Sequence, residues 1–328
     1  MPTNKRRSRG LIRWLIHSIS KILAVLLIVL TYIFHVEPTW YDVHEVTLTL
    51  PHLPAAFDRY RIVQLTDLHV DNLNDVSRLQ KMVELTNQNH PNLIVMTGDY
   101  ISNAVFTKVA PRQDPKIKPQ YDKVLYLQLL DAFTAATNAL SKLSAEKYIP
   151  TLAAGLKNLY APDGILAILG NHDRWDWRTP EFTKVFQDLG ITILENDLTK
   201  IQRGNDRLQI AGIRDFLIEQ ADLQPILAKM GTAQGAILLA HEPDFADISA
   251  PTGKFDLQLS GHSHGGQVYI PGLKRITPPL SAKYPAGEYQ VDRMALYTSR
   301  GVGVVTPRVR FNCRPEITVI TLRSISTG

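Results

Sequence analysis

The sequence predicts an α/β layered fold, and three observations carry that expectation. Short apolar runs recur along the chain, segments of helical periodicity separate several of them, and five runs each stop at a small cluster of potential metal ligands. Continuous rather than alternating hydrophobicity marks strands covered on both faces. Loops at the ends of such strands are where open sheets usually place their sites. At 328 residues the chain can bury one large core. Because the clusters extend from Asp67 to His264, a single domain over 43–323 is favoured over two.

The first 36 residues stand apart. Lys5, Arg6, Arg7, Arg9, Arg13 and Lys21 are six basic residues with no acidic one among them, and the run from Ile22 to Phe34 carries no charge. Extended back to Leu15, this run approaches the roughly 20 residues that a spanning helix needs. Lys21 then snorkels toward the basic side, and Tyr32 and Trp40 suit the far interface. A basic cytoplasmic tail over 1–14 and a transmembrane anchor over 15–36 are therefore expected. Val36-Glu37-Pro38 offers no small-x-small cleavage site, so the segment reads as an uncleaved anchor rather than a removed signal peptide. The basic flank places the folded domain on the non-cytoplasmic side of an inner membrane; a monotopic anchor lying in the interface would leave it on the cytoplasmic face.

The net charge of +5 belongs to this tail, because without those six residues the chain has 30 basic and 31 acidic side chains. A nearly neutral domain argues against a nuclease or another nucleic-acid partner, and the partner expected through the anchor is a lipid bilayer. The single cysteine, Cys313, excludes an internal disulfide and a thiolate metal cage. It reads as a small residue packed in a late strand.

Within the domain, Val43 to Leu50 alternates like an edge strand and ends at Pro51-His52-Leu53-Pro54. The runs Arg61 to Thr66, Leu93 to Thr97, Ile165 to Leu169, Ala236 to Ala240 and Leu257 to Ser260 read as buried strands. Val76 to Gln88, Pro180 to Leu189 and Ala221 to Met230 read as helices. Later strands are expected around Leu208 to Ile213, Ala295 to Thr298 and Glu316 to Leu322. A helical insertion over 104–162 separates two of the clusters. Its segment from Lys108 to Pro119 is rich in Lys, Arg and Pro and reads as a loop. Beyond it, Leu125, Leu129, Phe133, Ala136, Leu140 and Leu143 form a helical stripe, followed by a short apolar segment from Thr151 to Leu159. The stripe packs on the core, or else caps the site with an apolar face toward lipid.

The clusters are Asp67 with His69, Asp99 in Thr97-Gly98-Asp99-Tyr100, Asn171 in Gly170-Asn171-His172-Asp173, His241, and His262 with His264. Asp-x-His on a strand-to-loop turn offers one oxygen and one nitrogen ligand, and a second carboxylate after a glycine has the two oxygens needed to bridge two cations. Three further imidazoles and an amide oxygen complete a mixed N/O set suited to Mn, Fe or Zn rather than to Ca or Mg alone. Two such ions about 4 Å apart would bind phosphate oxygens and acidify a water, so hydrolysis needs no protein nucleophile.

In this order the texts resemble the calcineurin-like metallophosphoesterase superfamily. The resemblance implies a four-layer α/β/β/α sandwich, with the later strands completing its second sheet. It also implies that Asp67, His69, Asp99 and His264 hold one divalent ion, and that Asp99, Asn171, His241 and His262 hold the other. His172 is similar to the histidine that steadies the transition state or protonates the leaving oxygen, and Asp173 would orient it. Glu242-Pro243, Gly265-Gly266-Gln267, Ser299-Arg300-Gly301-Val302-Gly303 and the text from Arg310 to Glu316 resemble a narrower branch. That branch comprises membrane-anchored bacterial enzymes similar to UDP-2,3-diacylglucosamine hydrolases of lipid A biosynthesis and general phosphodiesterases. It implies hydrolysis of a phosphodiester or pyrophosphate in a phosphorylated lipid or nucleotide-sugar substrate. A general phosphodiesterase or phospholipid phosphatase of the cell envelope is the alternative; a nuclease and a non-catalytic metal-binding scaffold stand further off. Arg300, Arg310 and Arg314 read as solvated or paired rather than as phosphate ligands.

Overall fold

Strands that are apolar on both faces must be covered twice, and the chain achieves this with two six-stranded sheets. In the computed structural model residues 4–71, 74–102, 147–173, 180–217, 220–231 and 235–325 are described. β1 (Asp42–Leu50), β2 (Arg61–Leu65), β3 (Leu93–Thr97), β4 (Ile165–Ile168) and β5 (Ile191–Ile193) form most of the first sheet. β6 (Asp197–Arg203), β7 (Asp206–Gly212), β8 (Ala236–Leu239), β9 (Leu257–Ser260), β10 (Gly287–Val291) and β11 (Met294–Thr298) form the second. β12 (Glu316–Ser324) returns to the first, giving the orders β1-β12-β2-β3-β4-β5 and β10-β11-β9-β8-β7-β6. Both sheets are mixed: β2 to β5 and β7 to β9 with β11 run parallel, while the β12–β2, β6–β7 and β10–β11 pairs are antiparallel.

Strand parity then sorts the side chains into three cores. Ile62, Val95, Ile168 and Ile320 of the first sheet meet Ile210, Ile237, Leu239 and Leu259 of the second. Their neighbours Val63, Met96, Ala167 and Val319 point the other way, onto Leu79 and Met82 of α2 (Val76–Gln88), Leu152 of α3 (147–156) and Phe182 and Phe186 of α4 (Pro180–Asp188). Leu238 and Leu296 meet Ile226 of α5 (Gln224–Lys229) and Ala246 of α6 (Ala246–Ser249). Three cores between four layers are the α/β/β/α sandwich. Beneath the site the two sheets are also joined by a polar strut: buried Gln64 donates from Nε2 to Thr97 Oγ1 on β3 and to the Ser260 carbonyl on β9, each at 3.0 Å.

Several expectations change. β12 lies in the first sheet, between β1 and β2, and not in the second: it pairs parallel with β1 and antiparallel with β2, and an interior strand is covered on both faces, as the burial of Glu316–Ile320 and Leu322 shows. β5, β6 and β10 leave little mark in the sequence, since the first has three residues and the other two are largely polar. The helix expected over Ala221 to Met230 is confined to Gln224–Lys229, with proline in its first turn. Cys313 is buried as expected but sits in the loop ahead of β12 rather than in a strand. The loop at 108–119 and the stripe from Leu125 to Leu143 lie outside the described residues, whereas the end of the insertion forms α3.

α1 (Asn4–Thr31) continues through Tyr32–Val36 as a wider helical turn. Among the described residues the span Arg13–Thr39 is long and apolar enough to cross a membrane, and its large side chains are mostly exposed. The segment from Glu37 to Tyr41, by contrast, is clamped to the domain. Glu37 is fully buried and accepts from the Cys313 backbone N–H, Arg78 donates to the Pro38 carbonyl, and Arg314 stacks on Trp40 at 4.2 Å while donating to the Tyr41 carbonyl.

The core between the sheets sets the stability of the whole sandwich. Ile320→Ala, which removes a fully buried side chain there, should lower unfolding stability by about 2–5 kcal/mol. In urea titration the midpoint should fall while the slope stays unchanged.

Candidate metal centre

The expected ligands converge because both sheets end at one place. Asp67 and His69 follow β2, Asp99 follows β3 and Asn171 and His172 follow β4, while His241 follows β8 and His262 and His264 follow β9. The strand pairing carries on into the loops, with Asp67 N–H donating to the Gly98 carbonyl and His69 N–H to the Asp99 carbonyl. The sheets are stitched at the site itself, since the Asp67 carboxylate accepts the His262 N–H at 3.1 Å.

Aiming so many side chains inward requires an unusual backbone. Asp67, His69, Asp99, His262 and His264 all have positive φ, between 44 and 64°, a conformation that costs energy for any residue with a Cβ. Glycines supply the room. A Cβ on Gly261 would lie 2.1 Å from Thr66 Oγ1 and 2.5 Å from Asp67 Oδ2, one on Gly170 would lie 2.3 Å from Asp99 Oδ1, and one on Gly98 would meet Gly170 and His241. Gly301 and Gly303 press on Asp67 from the other side. They are held there by Arg310, fully buried, whose guanidinium donates to the carbonyls of Arg300, Gly301, Gly303 and Cys313.

Two groups of ligand atoms result, Asp67 with His69 and His264, and Asp99 with His241 and His262, each within 4.8 Å. His69 Nε2 and His264 Nε2 face one another at 3.1 Å. His241 Nε2 faces His262 Nδ1 at 3.2 Å, Asn171 Oδ1 at 3.2 Å and Asp99 Oδ2 at 3.3 Å. The outer nitrogens fix the tautomers: His241 Nδ1 lies 2.7 Å from the Thr97 carbonyl and His262 Nε2 lies 2.9 Å from the Pro279 carbonyl. A ring that gives its outer proton to a carbonyl turns a lone pair inward. Lone pairs crowded on one point repel unless a cation sits among them, so the donor set fits a pair of divalent ions.

Without a cation among them, the buried carboxylates and imidazoles offset one another's charge, and a bound cation would take the place of the proton that His241 otherwise holds. Burial opposes charge on His241, yet the carboxylates around it, Asp99 first and then Glu242 and Asp67, together outweigh burial and hold its pKa well above the imidazole range. For Asp99, burial is likewise outweighed, here by His241 and His172, and its pKa falls well below the usual carboxylate value. His264 is pushed well down by burial and by His69, and His262 is lowered by burial and by His241. His172 is lowered to about 4, mainly by burial. Its backbone N–H donates to Asp99 Oδ1 at 2.9 Å, and its ring meets that of His69 edge-on with centroids 5.0 Å apart.

Asp173 has a structural task beyond the one expected. Its carboxylate accepts the backbone N–H groups of Asp99, Tyr100 and Gly170 at 2.7–2.8 Å. It therefore ties the β3 and β4 turns together. Burial, followed by the nearby Asp99, raises its pKa to about 7. Sequence reasoning also missed Asn74, whose Nδ2 holds the Leu68 and His69 carbonyls, and buried Asp71, paired with Arg308 at 2.7 Å. Asp71 acts through a tertiary contact that no local spacing advertises, whereas Asn74 closes the turn after His69 from within the same loop. The three arginines of the C-terminal text turn inward: Arg300 pairs with Glu316 and Asp42, Arg314 pairs with Asp42, and Arg310 binds carbonyls.

A double sheet with carboxylates and imidazoles gathered at the strand ends into two adjoining groups defines a dinuclear-metal hydrolase. The calcineurin-like phosphoesterase family model matches residues 60–266, and the chain belongs to that family of metal-dependent phosphoesterases. It is 30% identical over 295 residues to the uncharacterized metallophosphoesterase YkuE of Bacillus subtilis, covering 89% of each chain. It is 28% identical to the phosphodiesterase YaeI of Escherichia coli, over 89% of this chain and 92% of that one. It is 24% identical to the UDP-2,3-diacylglucosamine pyrophosphatase LpxG of Chlamydia trachomatis, over 92% and 94% respectively.

The glycine cradle gives a direct test. Gly261→Ala places a Cβ against Thr66 and Asp67 and should weaken Mn2+ binding, read by calorimetry, by about tenfold or more while far-ultraviolet circular dichroism is retained. Asp173→Asn, which turns an amide NH2 toward backbone donors, should cost about 1–3 kcal/mol of stability, measured by chemical denaturation.

Proposed function

We propose that the chain is a membrane-anchored hydrolase of phosphodiester or pyrophosphate bonds. Asp67, His69, Asp99 and His264 hold one divalent cation, and Asp99, Asn171, His241 and His262 hold the second. Mn2+ is the first choice for both, with Fe or Zn as alternatives, because the donor set mixes imidazole nitrogen with carboxylate and amide oxygen. The observation that carries this reading is the position of Asp99. Its Oδ2 lies 3.4 Å from His69 Nε2 and 3.3 Å from His241 Nε2, so one carboxylate oxygen reaches ligands of both groups.

Two bound cations would supply the charge that polarises a phosphate and acidifies a water. The chain's own residues do the rest. Asp173 and the glycine cradle hold the ligand turns in place, and the outer carbonyls of Thr97 and Pro279 keep His241 and His262 in the ligating tautomer. His172, set beside His69 and anchored through its N–H to Asp99, directs a ring N–H at the negative charge that grows on the phosphate oxygens.

For the substrate we favour a phosphorylated lipid or nucleotide-sugar such as UDP-2,3-diacylglucosamine. The likeness to LpxG over most of both chains and the apolar α1 support this choice. The second reading, a general phosphodiesterase or phospholipid phosphatase of the envelope, is supported by the likeness to YaeI. The basic flank of α1 supports a catalytic domain on the non-cytoplasmic side, and a monotopic α1 would leave it on the cytoplasmic face.

With Mn2+ present the protein should hydrolyse bis(p-nitrophenyl) phosphate, lose that activity with a chelator, and regain it on metal return. Asp99→Ala should abolish turnover, and His172→Ala should lower kcat by about 10²–10³-fold with little change in KM. A kcat/KM for UDP-2,3-diacylglucosamine far above that for simple diesters separates the two substrate readings. No hydrolysis of either compound in the presence of Mn2+ would remove the enzymatic proposal.

A further inference from the structure

Outside residues 13–40, the exposed large hydrophobic side chains are concentrated in one place. Val268, Ile270, Leu273, Ile276 and Phe311 make up five of the seven among the described residues, and Ile276 is 89% exposed. A soluble face gains nothing from such a cluster, and contiguous apolar surface marks a contact site.

The cluster is held against the end of the N-terminal helix. Arg310 N–H donates to the Ile33 carbonyl at 3.0 Å, Phe311 pairs with Val268 as a parallel bridge, and Tyr269 N–H returns to the Phe311 carbonyl. The tip turns tightly, Leu273 N–H donating to the Ile270 carbonyl with Gly272 at φ 86°. Arg275 stacks on Tyr269 at 3.9 Å and donates to the Gly265 carbonyl. The patch therefore continues the apolar surface of Phe34 and Val36, both over 40% exposed.

Charge points the same way. No Asp or Glu occurs from Leu257 to Gly287 or from Arg293 to Pro315, while Lys274 is exposed at the loop tip and Arg275 next to it is turned toward Gly265. Apolar side chains flanked by basic ones and free of acidic ones suit the headgroup region of an anionic bilayer.

The two ends of the loop, not its tip, adjoin the site. The loop leaves from His264, and its far end brings the Pro279 carbonyl to His262 Nε2. Leu273 is six residues from Pro279, so the tip stands at most about 20 Å of chain from the residue that holds the His262 ring.

We infer that residues 268–276 with Phe311 form a second membrane contact, seated in the interface of an anionic bilayer beside the end of α1, so that the site works on phosphate esters at headgroup depth. This rests on the anchor reading of α1. It assigns the loop after His264, rather than the helix alone, the task of presenting the site to lipid.

The full chain, loaded with Mn2+, is reconstituted into phosphatidylcholine vesicles with and without phosphatidylglycerol. A single fluorophore is attached at Leu273→Cys or, as a control at the opposite end of β9, at Lys254→Cys. Flotation with the vesicles, together with a blue shift and quenching by nitroxide lipids at position 273 but not at 254, and stronger with phosphatidylglycerol, is the expected result. The double variant Leu273→Asp/Ile276→Asp should still float and still hydrolyse bis(p-nitrophenyl) phosphate at the wild-type rate. It should lose about tenfold or more of its activity on a phosphodiester lipid in the vesicles. Flotation with no response at 273, or an unchanged rate on the vesicle substrate, overturns this inference alone. Failure to float overturns the anchor reading and the inference together, and failure on the soluble diester falls on the enzymatic reading instead.

Discussion

The Asp99 carboxylate, buried between two groups of imidazoles, is the constraint on which the rest of the structure depends. A buried carboxylate ringed by lone pairs is unfavourable by itself, and only concentrated positive charge makes it stable. Everything around it serves to hold that unfavourable arrangement. Five of the candidate ligand residues accept left-handed backbone, glycines give up their Cβ atoms at each close approach, and Asp173 commits both oxygens to backbone N–H groups. The sandwich is what sustains this strain, because Gln64 and the apolar core beneath it lock the two sheets together directly under the site.

A second continuity runs outward from the site to the N-terminus. The Cys313 N–H donates to the Glu37 carboxylate and its thiol is directed at the His264 carbonyl, so the residue after the apolar helix and a ligand loop share one neighbour. Arg310 adds a second link, joining Ile33 to the segment that carries Gly301 and Gly303 against Asp67. Rotating α1 relative to the domain would disturb these buried contacts. The helix and the metal centre are therefore one mechanical unit, and the acid-free loop after His264 lies where the two meet.

Much of this was legible in the residues. Strands doubly covered by apolar layers need continuous hydrophobic runs, so β2, β3, β4, β8 and β9 announce themselves, and each of them ends in a ligand text that a soluble loop would have little reason to carry. The polar strands β6 and β10 are silent because a strand paired at a sheet margin needs few apolar side chains. β12 is recognisable as a strand but not as a member of the first sheet, since a buried run carries no mark of which neighbours it will pair with. Asp173 follows the same logic: adjacent to His172 in sequence, it suggests a partner for that ring, yet its carboxylate also reaches backbone more than 70 residues away.

By itself the sequence determined the class of fold, the seven candidate ligand residues with His172 as a set, and the concentration of positive charge ahead of the apolar helix. These follow from periodicity, donor chemistry and composition, which are local properties. Only the tertiary structure decided that Asp99 faces both ligand groups, that Gly301, Gly303 and Arg310 back the Asp67 turn, and that the loop from Val268 to Ile276 lies beside the end of α1. Those depend on which distant segments share a volume, and packing alone sets that.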